Sequence, residues 1–198
     1  MSETQEVDTR CRIVAAAEKL FRDIGYQKTT VADIARKLSM SPANVYRFFH
    51  SKREINETVA VRLIGEVEAA VEAVMQGPGS AEARLRQFIT TVHDMSAERY
   101  VNDVKIHEMV RAALTESWPV IEGYIARMNA RVARLIAQGI ETGEFRPGDP
   151  ALLAACVNTA TVRFSHPGLM MECARMEQPT LAALLDFIVA GLRAPARA

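Results

Sequence analysis

Apolar residues recur at helical spacing along almost the whole chain, and this pattern limits the fold more than any other feature. The clearest stripes begin at Ile13, Val31 and Leu181, where apolar side chains follow one another three and four residues apart. We find no alternating apolar stretch bounded by hairpin turns, so strands are not expected. The sequence therefore predicts an all-α protein.

Glycine, proline and capping residues divide the pattern into about nine helices. Thr30 with Asp33 forms a predicted capping box, and Ser41-Pro42 is typical of a helix start. Ser51 opens a long helix that the Gly77-Pro78-Gly79-Ser80 run ends. The predicted helices lie near residues 13–24, 31–38, 43–49, 52–75, 81–98, 103–115, 118–142, 150–165 and 179–193.

Charge is distributed unevenly although its sum is zero. The chain has 24 Lys/Arg and 24 Asp/Glu, but residues 1–62 hold eleven Lys/Arg against eight Asp/Glu. This start has a surplus of three positive charges, which leaves the remainder with three negative ones. A basic end on an acidic body fits a protein with one phosphate-facing surface.

Neither a membrane protein nor a metalloprotein is expected. Charged or amide residues interrupt every apolar run before the ~20 residues that span a bilayer, and the polar start is unlike a signal peptide. We therefore expect a cytoplasmic protein. Cys11, Cys156 and Cys173 form no CxxC pair and are expected to be free, mostly buried thiols. His107-Glu108 begins like a zinc-protease motif, but Arg111 stands where the second His belongs. No metal and no cofactor is predicted.

Residues 27–52 have the spacing of a helix-turn-helix: a helix, a tight turn and a second short helix. The second helix of this motif enters the major groove and presents its N-terminal residues to the bases. Asn44 has the groups to pair with adenine and Arg47 those to pair with guanine. The residues predicted at the bases are Ser41, Pro42, Ala43, Asn44 and Arg47. The hydrogen-bond donors predicted to contact the DNA phosphates, and so to add salt-dependent affinity, are Thr29, Thr30, Tyr46, His50, Ser51 and Lys52.

These residues resemble the signature of the tetracycline repressor (TetR) family. The segment Phe21-Arg22-Asp23-Ile24-Gly25-Tyr26-Gln27-Lys28-Thr29-Thr30-Val31-Ala32-Asp33-Ile34-Ala35 looks like the first part of that signature. The segment Ser41-Pro42-Ala43-Asn44-Val45-Tyr46-Arg47-Phe48-Phe49-His50-Ser51-Lys52 is similar to its recognition helix, with Pro42-Ala43-Asn44 and His50 as mild departures. The resemblance is contiguous over about residues 12–60.

The resemblance implies a homodimer that grips double-stranded operator DNA and is released by a small molecule. It implies a DNA-binding domain at 1–52, a ligand-binding and dimerisation domain at 53–198 joined to it by the long helix 52–75, and DNA-backbone contacts by Thr30, Tyr46 and Lys52. Helix 150–165 is apolar nearly all round, so we expect a second subunit to cover it together with helix 179–193. The residues predicted at this interface are Leu152, Cys156, Ala160, Leu181, Leu185 and Ile188.

Pliable and aromatic residues of the second domain are candidates for an effector pocket. They are His93, Met95, Met109, Trp118, Tyr124, Met128 and Phe164. Because few charged residues accompany them, an apolar or amphipathic effector is expected. Ordinary core packing explains most of these residues equally well, and His93 fits a core histidine better than a ligand contact.

Two other classes of protein fit the sequence less well. A small all-α hydrolase needs a nucleophile with a base, or metal ligands, and the sequence offers no Ser/His/Asp order, paired carboxylates or phosphate loop. A helical adaptor with a vestigial helix-turn-helix is distinguished by salt-dependent DNA binding, because an adaptor would show no slope of log affinity against log salt. Activation in place of repression also stays open, because the sequence predicts DNA binding and not its effect on transcription.

Overall fold

The computed structural model describes residues 3–101, 105, 119–172 and 176–194. Over these ranges the chain forms nine α-helices and no β-strand, so the predicted all-α fold is confirmed. The helices are α1 (Glu3–Ile24), α2 (Val31–Lys37), α3 (Pro42–Tyr46), α4 (Lys52–Gln76), α5 (Ala81–Ser96), α6 (Pro119–Glu141), α7 (Pro150–Thr161), α8 (Pro167–Glu172) and α9 (Leu181–Leu192). A π-helical turn, Ala97–Val101, continues α5, and a 3₁₀ turn, Val162–Phe164, continues α7.

Two of the differences from the predicted helices have identifiable reasons. Helix α1 begins at Glu3, well before the first stripe residue, Ile13. Its first two turns are mostly exposed, and apolar periodicity does not report an exposed turn. Helix α8 lies in a predicted loop, because Pro167 occupies a first helical position, where its missing N–H costs nothing. The predicted helix 103–115 lies outside the described residues, apart from Lys105.

The chain divides into two compact units. The head consists of Met1–Gly65 with Asn102–Ile121, and the body consists of Glu66–Val101 with Glu122–Ala198. Helix α4 passes from one into the other, so the observed boundary falls within that helix and later than the predicted division after residue 52.

The core of the head forms where the apolar stripes of α1 and α2 meet α3 and the start of α4. Burying one large apolar side chain stabilises the fold by roughly 1.5–3 kcal/mol. This matters because α2 and α3 are too short to persist alone. The apolar side chains of the head with no exposed surface are those of Ile13, Ala17, Phe21, Ile34, Ala35, Val45, Phe49, Ile55 and Val59.

The core of the body gathers α5, α6, α7, α9 and the second half of α4. Phe145 lies so close to α6 that a Cβ atom on Gly139 would be 2.2 Å from its ring. Just before it, the Glu144 carboxylate accepts the backbone N–H groups of Ala81 and Glu82, both at 3.1 Å, and so caps α5.

Candidate nucleic-acid interface

Helix α2 begins at the capping box that the sequence predicts. Thr30 Oγ1 accepts the backbone N–H of Asp33 at 3.1 Å, and Asp33 Oδ2 accepts the Thr30 hydroxyl at 2.6 Å and the Thr30 backbone N–H at 2.9 Å. The hydroxyl and then the N–H of Thr30 lower the pKa of Asp33, with a further contribution from Arg36 at 2.9 Å. The carboxylate therefore fixes the start of α2.

The turn between α2 and α3 is tight. Ser39 adopts φ 56°, in the left-handed region, and the N–H of Met40 donates to the Ala35 carbonyl at 2.9 Å. Ser41 then caps α3, because its Oγ accepts the Asn44 N–H at 3.2 Å, and Pro42 takes the first helical position. The predicted turn and helix start are both confirmed.

Helix α3 has one buried and one exposed face. Val45 and Phe49 have no exposed surface and Phe48 is 5% exposed, whereas Tyr46 is 48% exposed and Arg47 is exposed beside it. The apolar side chains therefore anchor the helix in the head, while the polar ones point outward.

Most of the predicted DNA-contacting residues have exposed side chains. Asn44 is half-buried. The exposed members are Thr30, Ser41, Pro42, Ala43, Tyr46, Arg47, His50 and Ser51.

Thr29 is not one of these exposed residues, and its prediction is wrong. The residue has no exposed area, and its hydroxyl donates to the Gly25 carbonyl at 2.7 Å. A hydroxyl committed inside the loop after α1 is out of reach of a phosphate. Its neighbour Thr30 is the exposed member of the pair.

Lys52 also has a different role from the one that the resemblance implies. Its Nζ donates to the carbonyls of Tyr26 at 2.9 Å, Thr29 at 3.0 Å and Gln27 at 3.4 Å. An ammonium has three donors, so these carbonyls occupy them all. The group also lies 4.4 Å from the centroid of the Tyr26 ring, and burial lowers the pKa of Lys52. Lys52 therefore ties the start of α4 to the loop after α1.

Arg10 contacts the other end of α3, and sequence reasoning missed it. Its guanidinium donates to the Phe48 carbonyl, lies 4.2 Å from the centroid of the Phe49 ring and is 3.9 Å from the Glu54 carboxylate. Nothing in the sequence distinguishes it from Arg12, since both stand among polar residues that precede the first apolar stripe.

The predicted effector-pocket residues that the structure describes take part in packing within the body. His93 Nδ1 lies 2.8 Å from the Phe164 carbonyl oxygen, and the two rings meet edge-on with centroids 5.8 Å apart. Met128 belongs to the buried core, and Met95 and Tyr124 pack against it. The predictions for Met109 and Trp118 lie outside the described residues.

The predicted dimer residues on α7 are exposed. Leu152 is 62% exposed, and Cys156 and Ala160 are exposed on the same helix. Cys156 and Cys11 are both exposed thiols, so the expectation of mostly buried cysteines is wrong for these two.

The predicted dimer residues on α9 face the body instead. Leu185 is 4% exposed in the core, so its prediction is wrong, and Leu181 and Ile188 pack partly buried against the same core. The reason is that the apolar stripe of α9 covers its own chain. Phe187, 78% exposed on the other side of α9, is the residue that the stripe did not reveal.

Two short capped helices joined by a tight turn, the second with an exposed polar face, are typical of a helix-turn-helix DNA-binding protein. Across the described residues, no helix is long and apolar enough to cross a bilayer. The body is a second compact unit, and its described residues form helices.

Comparisons with known proteins identify the family. The chain matches the profile "Bacterial regulatory proteins, tetR family" over residues 13–59 and the profile "Tetracyclin repressor-like, C-terminal domain" over residues 81–186, more than half of the chain. The chain therefore belongs to the tetracycline repressor (TetR) family. It is a DNA-binding transcriptional regulator and not an enzyme.

Individual relatives agree with this assignment. An uncharacterized HTH-type transcriptional regulator of Mycobacterium bovis is 29% identical over 155 residues, which are 76% of each chain. The HTH-type transcriptional regulator TcmR of Streptomyces glaucescens is 31% identical over 149 residues, 70% of this chain and 65% of that protein. A solved TetR-family regulator of Pectobacterium atrosepticum has a similar fold, with a TM-score of 0.71, 21% identity and all of both chains covered.

Proposed function

We propose that the chain is a homodimeric repressor that binds a palindromic operator through α3 and leaves it when a small apolar or amphipathic effector binds the body. One observation carries the proposal. Val45 and Phe49 anchor α3 without any exposed surface, while Tyr46 and Arg47 stand outside. A helix anchored in this way offers fixed polar groups to the major groove.

Base reading falls to Arg47 and Asn44 in this proposal. Arg47 is exposed and has no acidic partner among the described residues, so its guanidinium is available for the two acceptors of guanine. Asn44, near the start of α3, is the candidate for adenine. The small Ala43 and Pro42 beside it let the helix backbone approach the groove closely.

Phosphate contact falls chiefly to Tyr46 and His50. Both are exposed next to the base-reading residues. Thr30 is exposed as well, but its hydroxyl already donates to Asp33, so a contact with phosphate requires it to turn away from that carboxylate. These groups position the protein on the duplex without reading its sequence.

The exposed apolar residues of α7 and α9 support a dimer. Leu152 and Phe187 are large side chains with 62% and 78% of their surface exposed, and Cys156 and Ala160 lie on the same helix as Leu152. A second copy that brings the same two helices would cover them in a four-helix interface. Such a dimer would present two copies of α3 roughly 34 Å apart, one turn of B-DNA.

The composition of the body supports an apolar effector. Met95, Tyr124 and Met128 lie in or against its core. Methionine side chains rearrange at low cost, so they can make room for a ligand. Such a ligand shifts DNA binding only by its preference for the state that does not bind the operator.

The proposal is tested by fluorescence anisotropy with a labelled duplex that carries the palindrome upstream of the chain's own gene. Arg47→Ala is expected to weaken operator binding by about tenfold or more, the value of a lost two-pronged base contact. The control is Lys19→Ala, which removes an exposed cation of α1 and is expected to change affinity less than about twofold. Equal affinities of the two variants would overturn the assignment of α3.

The direction of regulation needs a cellular readout. A reporter fused to the same promoter is expected to rise when the gene is deleted. A fall would show an activator and overturn the repressor part of the proposal, while leaving the role of α3 in place. In vitro, an organic extract of host cells is expected to release the DNA complex; if only the aqueous phase does so, the apolar effector is contradicted.

A further inference from the structure

We infer that Arg10 is a positioning residue for DNA recognition: from α1 it holds the C-terminal end of α3 in the orientation in which α3 reads bases. The inference rests on the proposed role of α3 and adds to it a residue outside the helix-turn-helix.

The geometry places one guanidinium on three partners. Its Nη1 donates to the carbonyl of Phe48. Its Cζ lies 4.2 Å from the centroid of the Phe49 ring, well inside the roughly 6 Å range of a cation–π contact. Its Nη2 lies 3.9 Å from Oε1 of Glu54. Phe48 and Phe49 directly follow α3 and its cap residue Arg47, so two of the three partners lie in the segment by which the chain leaves that helix.

Helix α3 needs such support because it is only five residues long. Its start is fixed by the Ser41 cap, and its middle by the buried side chain of Val45. A carbonyl just past a helix end has no donor within that helix, so an external donor is a natural way to fix the segment that leaves it. Arg10 supplies this donor to Phe48.

The three contacts differ in weight. The Arg10 and Glu54 side chains are 42% and 35% exposed, and an ion pair so exposed contributes little. The hydrogen bond from a charged donor and the stacking on the fully buried Phe49 contribute more. The forked, planar shape of the guanidinium is therefore more important than its charge, and lysine is a poor substitute.

Glu54 extends the support into α4. Its Oε2 accepts the backbone N–H of His50 at 2.7 Å, and its own N–H donates to Ser51 Oγ at 3.1 Å. The turn between α3 and α4 is thus tied to the same guanidinium as the end of α3. Arg10 therefore joins α1, α3 and α4 at one point.

This arrangement gives Arg10 an effect on specificity. Two-pronged base contacts weaken steeply when distances and angles change, so a displaced α3 loses base reading first. Phosphate contacts tolerate the displacement better because they do not depend on sequence. Loss of Arg10 should then lower operator affinity more than affinity for unrelated DNA.

The test compares Arg10→Ala with Arg12→Ala by anisotropy, on the operator duplex and on a scrambled duplex, at several salt concentrations. Arg12 stands two residues away on α1, carries the same charge and is exposed without a partner in the described part of the chain. Arg10→Ala is expected to weaken operator binding about tenfold and scrambled binding less than about threefold, with an unchanged slope of log affinity against log salt. Arg12→Ala is expected to leave the operator-to-scrambled ratio unchanged.

Two further variants keep the test decisive if Arg10→Ala unfolds, which circular dichroism detects. Arg10→Lys keeps the charge but not the fork, and is expected to lose most of the specificity ratio. Glu54→Gln removes the ion pair alone and is expected to lose little. Arg47→Ala, measured alongside, reports on the role of α3 by itself.

The inference is overturned if Arg10→Ala and Arg12→Ala have the same ratio, or if Arg10→Lys restores it fully. It is also overturned if the salt slope falls by about 0.9 for Arg10→Ala, because Arg10 would then be a phosphate contact. If Arg47→Ala has no effect either, the proposed role of α3 fails first, which separates the two results.

Discussion

The ammonium of Lys52 lies 2.9 Å from the carbonyl oxygen of Tyr26 and 4.4 Å from the centroid of the same residue's ring. One side chain at the start of α4 thus holds the backbone and the side chain of the loop that follows α1. Because Tyr26 packs edge-on against the buried Phe21, at 5.2 Å between centroids, this contact reaches the core of the head.

Lys52→Met is therefore expected to destabilise the head, by about 1–3 kcal/mol, because partly buried carbonyls lose a charged donor. Urea unfolding at fixed protein concentration measures this change. Lys37→Met, at an exposed position of α2, is the control and is expected to change stability by less than about 0.5 kcal/mol. The opposite result would be unchanged stability of Lys52→Met together with a slope of log DNA affinity against log salt that is lower by about 0.9. It would show that Lys52 contacts a DNA phosphate, as the resemblance implies, and does not hold the loop.

The capping box predicts a dependence of stability on acid pH. Hydrogen bonds lower the pKa of Asp33 in the folded chain, so its contribution is present above the ordinary pKa of aspartate, about 4, and is lost as pH falls through the folded value. Asp33→Asn should lower the melting temperature at pH 7, and the difference from wild type should shrink below pH about 4. A difference that stays constant between pH 7 and pH 3 would contradict the capping role of the carboxylate.

Gly139 and Phe145 predict an overpacking penalty in the body. Gly139→Ala places a methyl group 2.2 Å from the Phe145 ring and is expected to cost about 1–3 kcal/mol of unfolding free energy. Adding Phe145→Leu should recover part of this loss, as a double-mutant cycle shows. Gly65→Ala, on α4 with nothing within 4 Å, is expected to stabilise by about 0.5–1 kcal/mol. Additive effects of Gly139→Ala and Phe145→Leu would show that the two residues do not touch.

The exposure of Phe187 predicts that the chain forms a dimer through this face of α9. Because the Phe187 side chain is 78% exposed, Phe187→Asp leaves the chain's own core intact. The substitution places a charge on the proposed dimer interface. Sedimentation velocity is expected to show a monomer, with operator affinity reduced accordingly. Ile125→Asp, at a residue of α6 that is 51% exposed, is the matched control and should remain dimeric. A dimeric Phe187→Asp variant would exclude this face.

Sequence reasoning located the head well because its signals are local. The Thr30–Asp33 box, the Ser41 cap and the Pro42 start each act within one turn of the chain, so spacing alone predicts them. The outward and inward faces of α3 followed from the same periodicity.

Sequence reasoning did less well where function depends on a contact between distant segments. Lys52 and Thr29 have the residue types of phosphate ligands, and only their partners show that they serve the loop after α1. Arg10 acts on residues 38 or more positions away, so no local pattern reveals it. For α9, the strong apolar stripe identified the face toward the chain's own core, while Phe187 stood outside it.

The central claim is that α3 reads bases through Arg47. Its most direct test measures the affinities of wild type and Arg47→Ala for operators changed at one base pair at a time. The wild type is expected to discriminate against replacement of one guanine in each half-site by about 1–3 kcal/mol, and Arg47→Ala to lose discrimination there and keep it elsewhere. Equal weakening at every position, or an unchanged profile, would contradict the account.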